Sequence, residues 1–191
     1  MCGVVAVAAF SRGFVERIVL IRHSRRRGFP NCESTSTRMP KAPLTPADDP
    51  AWSQYADTIV EIAREEAPLR VDLRRALGEH ERHALATLGP VSSFGIVTAA
   101  NPAGAPVAAT SNSARHDALE RHLRECGFVH RGATGRSPDG RHTEHGFGIW
   151  LERDDVVAIA RRFEQSAIFW FDGGAFWLVG ALVDAPPRKL P

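Results

Sequence analysis

The sequence predicts an α+β domain: a two-layer sandwich in which helices pack on a mixed sheet, with one further helix added at its N-terminal side. Three observations carry this. Beyond residue 93 the hydrophobic periodicity runs in the order strand, helix, strand, strand, helix, strand, strand. Residues 94–100 are apolar on both parities and bounded by Gly-Pro and Asn-Pro, as in a central strand covered on both faces. The chain has 191 residues, 43% of them hydrophobic and 24% charged, which suits one globular domain plus a tail. It has no 18-residue apolar run, so no membrane partner is expected.

Charge divides the chain. Residues 1–38 hold seven arginines and two glutamates, whereas the remainder holds 17 basic and 20 acidic side chains. The net charge of +2 is therefore a property of the tail, and nucleic acid is not an expected partner of the mildly acidic globular part. We read residues 1–46 as a disordered tail, 47–184 as a single α+β domain and 185–191 as a disordered C-terminal tail. The compositional break also suits a true start at Met39, with residues 1–38 being translated upstream sequence. Met1-Cys2-Gly3 is similar to the start of amidotransferases with an N-terminal cysteine nucleophile, but three residues are nearly unspecific and nothing downstream supports it. Three cysteines without paired spacings fit a reducing, cytoplasmic setting better than a disulfide framework.

Taken in order, Asp48 or Asp49 can cap a helix with Pro50 in its first turn, and Trp52, Tyr55, Ala56, Ile59 and Ala63 recur at helical spacing. Residues 69–74 suit a short strand and 79–88 a short helix ended by Gly89-Pro90. After the strand 94–100, Asn101-Pro102 ends it, and the proline biases Asn101 towards extended backbone with its side chain at the strand's carboxyl end. Ligands commonly bind at that end in α/β sheets; a plain Asn-Pro turn is the alternative. A helix at about 112–126 follows, striped by Leu119, Leu123 and Cys126. Residues 128–131 suit a strand and 133–145 a long polar loop containing the turn Ser137-Pro138-Asp139-Gly140. The strand 144–151 sets Glu144, Gly146, Gly148 and Trp150 on one face. Asp154 or Asp155 caps a helix striped by Val156, Ile159, Ala160 and Phe163. Last, residues 166–172 and 175–182 flank Gly173-Gly174, a hairpin whose register would set Phe171 against Phe176 and Trp170 against Trp177. The nearest simple topology is a ferredoxin-like arrangement.

The strongest site signal is the helix at 112–126. Its apolar stripe, stepped back at the same spacing, lands on Arg115 and then Asn112, so it turns polar at its N-terminal end. An inward arginine in the first turn, beside free backbone N–H groups, favours an anion; the alternative is that Asn112 caps the helix while Arg115 snorkels or pairs with a nearby carboxylate. Glu144 beside two glycines suits a general base at the mouth of a groove, a partner for Arg115, or a solvated strand end. Gln165 falls off its helix stripe at the end of the helix. The histidines do not have metal-ligand spacing: His142 and His145 would face opposite ways on a strand, and His80-Glu81-Arg82-His83 lacks the zincin interval. We assign no metal and no cofactor, and the Gly-x-Ser-x-Gly elbow of serine hydrolases is missing.

Thr98-Ala99-Ala100-Asn101-Pro102, Asn112 with Arg115, Pro138-Asp139-Gly140 with Glu144, and Phe163-Glu164-Gln165-Ser166-Ala167-Ile168 together resemble the bacterial family known as domain of unknown function 3293, over about residues 92–182. In that family the residue before the asparagine is usually aromatic; here it is Ala100. The resemblance implies a small bacterial cytoplasmic domain and names no activity, but it joins Asn101, Asn112, Arg115, Glu144 and Gln165 into one site. Two functions follow as expectations. One is binding of a small anionic molecule, such as a nucleotide or phosphorylated metabolite, with Asn101, Asn112, Arg115 and Gln165 as ligand-binding residues and Glu144, with His142, moving a proton. The other is a non-catalytic protein-interaction module whose polar cluster braces the fold.

Overall fold

A computed structural model of the chain describes residues 43–191, and the expectations for Met39, the arginine cluster and Met1-Cys2-Gly3 lie outside them. Eight strands form one sheet in the order β2-β1-β4-β5-β3-β6-β7-β8, and every pairing between them is antiparallel. The expected mixed sheet is thus corrected to an antiparallel one. Its parallel element is the isolated bridge between Leu44 and Val183.

The described residues open with 3₁₀ turns at Pro46–Asp48 and Trp52–Asp57 and then enter β1, Ile59–Ile62. This replaces the expected N-terminal helix. Ile59, Val60 and Ile62 are β-branched, and β1 is paired on both sides, with β2 and β4, so tertiary pairing overrides the helical spacing. Trp52, Tyr55 and Ala56 still share a face and pack on the core, because three-residue spacing also suits a 3₁₀ turn. Strand β2, Leu69–Asp72, and helix α1, Glu79–Ala86, follow where expected.

Strand β3, Phe94–Thr98, lies mid-sheet between β5 and β6. Helix α2, Ala109–Glu125, begins a turn earlier than expected. Residues His130–Arg136 form β4 and Thr143–Ile149 form β5. The expected long polar loop is therefore a hairpin, reduced to the six residues 137–142, with Gly140 at φ 70° in its turn. Helix α3, Arg153–Arg162, is capped by Glu152, which places Asp154 and Asp155 inside the first turn and not at the cap. Strands β6, Ala167–Phe171, and β7, Phe176–Gly180, pair with Trp170 opposite Trp177 and Phe171 opposite Phe176, the expected register.

The last residues are not a loose tail. Arg188–Lys189 form β8 on the edge of β7, and Leu190 is buried. At the other end Leu44 already bonds Leu182 and Asp184 through its backbone, so order begins before residue 47.

Two cores lie on the two faces of the sheet. Leu119 and Leu123 of α2 and Val156, Val157, Ile159 and Ala160 of α3 pack on Val97, Phe147, Ile149 and Ile168. Gly95 permits that approach, since a Cβ there would come within 2.5 Å of Val156 Cγ1. The opposite face carries Val60, Val71, Leu85, Phe94, Ile96, Phe176 and Leu178 in one cluster. Strands from both ends of the sheet order share this cluster, so the sheet curls strongly around it.

Candidate functional site

The curl leaves a cleft of about 790 Å³ on the β1/β3/β7 face, within the usual size of small-molecule sites. Val60, Ile96, Ala133, Ala167, Phe169 and Leu178 supply apolar walls. Asn101, His142, Glu144 and Gln165 also line it; Asn112 and Arg115 do not.

The strand end that presents Asn101 is made by local chemistry. Thr98 Oγ1 accepts the Ala100 N–H at 2.9 Å and ends β3. Asn101 then adopts φ 47°, ψ 64°, correcting the extended backbone expected before proline; asparagine is the residue that tolerates this region best after glycine. Ala103 at φ 52° and Glu164 at φ 57° are the other non-glycine residues in positive φ among the described residues. All three belong to two abutting segments, joined by the Ala103 N–H donating to Glu164 O at 2.6 Å. Strained backbone of this kind persists only where its surroundings over-determine it, and it concentrates at functional sites.

Arg115 supplies that over-determination. It sits in the second turn of α2 and not the first, away from the helix N-terminus. Its Nε donates to Ala99 O at 2.6 Å, its Nη2 donates to Phe163 O, and its Nη1 pairs with Glu164 Oε2 at 3.2 Å. The guanidinium clamps the segment after β3 to the segment after α3. Of the expectations for Arg115, the carboxylate partner is the one the geometry displays, but the partner is Glu164 and not Glu144.

Asn112 acts on Asn101 alone. Its Oδ1 accepts the Asn101 backbone N–H at 2.9 Å and its Nδ2 donates to Asn101 Oδ1 at 3.0 Å. Asn101 in turn donates from Nδ2 to Glu144 Oε1 at 2.7 Å. His142 Nε2 lies 3.1 Å from the same Oε1, so the ring carries its proton on Nε2 when it donates. Glu144 Oε2 receives no hydrogen bond among the described residues. Gly146 also lines the cleft, and a Cβ there would come within 2.2 Å of Val97 O, so this glycine serves a close backbone approach rather than spare room.

Gln165 is 6% exposed. Its Nε2 donates to Ala100 O at 2.9 Å and to Phe163 O at 3.2 Å, two carbonyls that fix the amide's orientation. Oε1 is then the acceptor left at the cleft, and it takes no hydrogen bond among the described residues. Next to it Ser166 is 3% exposed, lines the cleft, and its Oγ is buried without a hydrogen bond. A buried polar atom left unpaired costs about 1–3 kcal/mol.

Three lining or supporting residues escaped the sequence reading. Tyr55 reaches the cleft from the 3₁₀ turn before β1, and its hydroxyl donates to Asp49 Oδ2 at 2.9 Å. Asp49, 2% exposed, also accepts the Ala51 N–H at 2.9 Å. Burial and then the Asp49 carboxylate push the Tyr55 phenol well above its ordinary range, the nearby Ser166 hydroxyl acting weakly the other way. Ser166 itself lay inside the quoted Gln-Ser-Ala motif, and its position one residue after Gln165 was the available signal. At the exposed mouth stand Arg74, held by Asp72, and Arg136, which uses Nε on Glu61 at 3.2 Å.

The family described as "Protein of unknown function (DUF3293)" matches residues 97–168, inside the expected span. The chain is thus similar to that family from β3 through the start of β6, the stretch that contains Asn101, Asn112, Arg115, Glu144, Gln165 and Ser166. No curated protein and no solved structure matches the chain.

Proposed function

We propose that this domain binds a small anionic molecule, such as a nucleotide or phosphorylated metabolite, in the cleft between β1, β3 and β7, and that Glu144 with His142 moves a proton on it. The observation that carries this reading is the Ser166 hydroxyl, which is buried without a hydrogen bond in the lining of a ligand-sized cleft that Glu144 and Gln165 also line. Native structures rarely leave such groups unpaired without a role. Asn101 holds Glu144 in place, and Asn112 and Arg115 are positioning residues behind them. The anion's place moves from Arg115 to the mouth, where the Arg136 guanidinium bonds Glu61 through Nε and its two Nη groups take no partner among the described residues. A ferredoxin-like reading of the central part is supported by the element order β3-α2-β4-β5-α3-β6 and the strand order β4-β5-β3-β6. A bacterial, cytoplasmic setting belongs to the same proposal and rests on the family resemblance. Among the described residues no helix is long and apolar enough to cross a membrane.

A second reading is favoured by a specific observation: Arg115 and Asn112 spend their polar groups inside the fold, as bracing residues of an interaction module would. Thermal unfolding of the full chain against nucleotides, phosphorylated sugars and carboxylic acids separates the two. A ligand at about 100 times its Kd adds about 2.7 kcal/mol of stability. We expect such a rise in the native chain and a smaller one in Glu144→Gln and Arg136→Ala. A panel that leaves the midpoint unchanged would favour the interaction module.

A further inference from the structure

We infer that the inner end of the cleft recognises an amidine-type edge, a planar carbon bearing two nitrogens that both donate hydrogen bonds, as in an amidinium, a guanidinium or the amino-imino edge of a purine. The inference rests on the ligand-binding reading above and names the chemistry of the end of the ligand opposite its anion.

The argument is one of donors and acceptors. Asn101 gives one amide N–H to Glu144 and has its Oδ1 taken by Asn112, and Gln165 gives both of its amide N–H groups to Ala100 O and Phe163 O. What remains unengaged on these side chains is mainly acceptor: Glu144 Oε2 and Gln165 Oε1, set against one N–H of Asn101. The Ser166 hydroxyl adds a group that can accept or donate. Two carbonyl-type oxygens without donors call for a ligand with donors, since a ligand acceptor there would meet lone pairs with lone pairs. The charge points the same way. Glu144 is a carboxylate at this end, and both lining arginines stand at the exposed mouth, each paired with a carboxylate. An anion placed inside would be repelled, whereas a donor pair on a carboxylate gains charge-assisted bonds. Ile96, Phe169 and Leu178, in register across β3, β6 and β7, supply apolar wall in the same cleft, with the Phe169 ring able to stack on a planar group.

Benzamidine, benzamide and benzoate share a ring and differ only in this group, so they test the inference on the full chain. Binding is read by calorimetry and by amide chemical-shift changes. We expect benzamidine to bind at least tenfold tighter than the other two, with shifts centred on residues 101, 144, 165 and 166, and Glu144→Gln to lose at least tenfold. The unfolding midpoint of that variant is measured alongside; if it does not fold, the shift map on the native chain decides. Benzoate or benzamide binding as tightly as benzamidine at those residues would overturn the inference and leave the cleft reading standing. Shifts from benzamidine elsewhere, or none at 10 mM (about the weakest affinity such a fragment would have), would overturn it too. Only if the metabolite panel is also silent does the cleft reading fall with it.

Discussion

Arg115 is where the residue scale is most informative. Sequence spacing put it on the inward face of α2, which is correct, but spacing cannot say what an inward arginine meets. It meets two carbonyls, Ala99 O and Phe163 O, each within two residues of a residue in positive φ, Asn101 or Glu164. Arg115→Ala leaves Ala99 O and Phe163 O without their charged donor, so the expected loss is about 2–3 kcal/mol in urea unfolding. A fully stable Arg115→Ala that only loses ligand would show instead that the guanidinium is a binding group. Tyr55 makes a second residue-scale prediction, helped by its being the single tyrosine of the chain. Its folded-state pKa is raised, so the neutral phenol stabilises the fold below the unfolded value of about 10, and that contribution fades as pH rises beyond it. Absorbance at the tyrosinate band should stay flat through about pH 11 and rise only together with unfolding, while Tyr55→Phe should lose less stability between pH 9 and about pH 11. An ordinary titration near pH 10 in folded protein would mean that the phenol is not sealed against Asp49.

At the scale of elements, what was legible depended on whether the signal was local. The Gly-Gly hairpin, the turn at Ser137–Gly140, the stripe of α3 and the parity of Glu144 on β5 are written in neighbouring residues, and each element lies where they place it. Asn101, Glu144, His142 and Gln165 reach one cleft for the same reason, each standing at the end of a readable element. The segment 52–62 failed because its helical spacing competed with β-branched residues whose partners, β2 and β4, lie far along the chain. The carboxyl-terminal segment failed differently: its two residues of strand are too short to show alternation, and only the edge of β7 makes them a strand. Leu190 anchors that edge from within the core, at 2% exposure. Leu190→Ala should therefore cost about 2–5 kcal/mol in urea unfolding, as a core residue and not as a tail residue would. A loss below about 0.5 kcal/mol, typical of surface positions, would return the segment to a tail.

The whole molecule explains why Asp49, Tyr55 and Ser166 were missed. Asp49 and Tyr55 stand in no motif whose spacing announces a site, and Ser166 only neighbours one; they come together because an antiparallel sheet of eight strands curls until the first turn faces the last hairpin. The order of elements carried the α+β class, but it carries no curvature, so the cleft itself was invisible in the sequence. The strand order has a consequence in time. The β1–β2 hairpin enters the sheet only through β4, and β3 gains its second neighbour only when β6 exists. Contacts so distant along the chain are slow to close, because loop-closure entropy is lost before they reward it. On a ribosome the wall that β7 supplies is therefore made last, and until it emerges the cluster that holds Val60, Phe94 and Ile96 lacks Phe176 and Leu178.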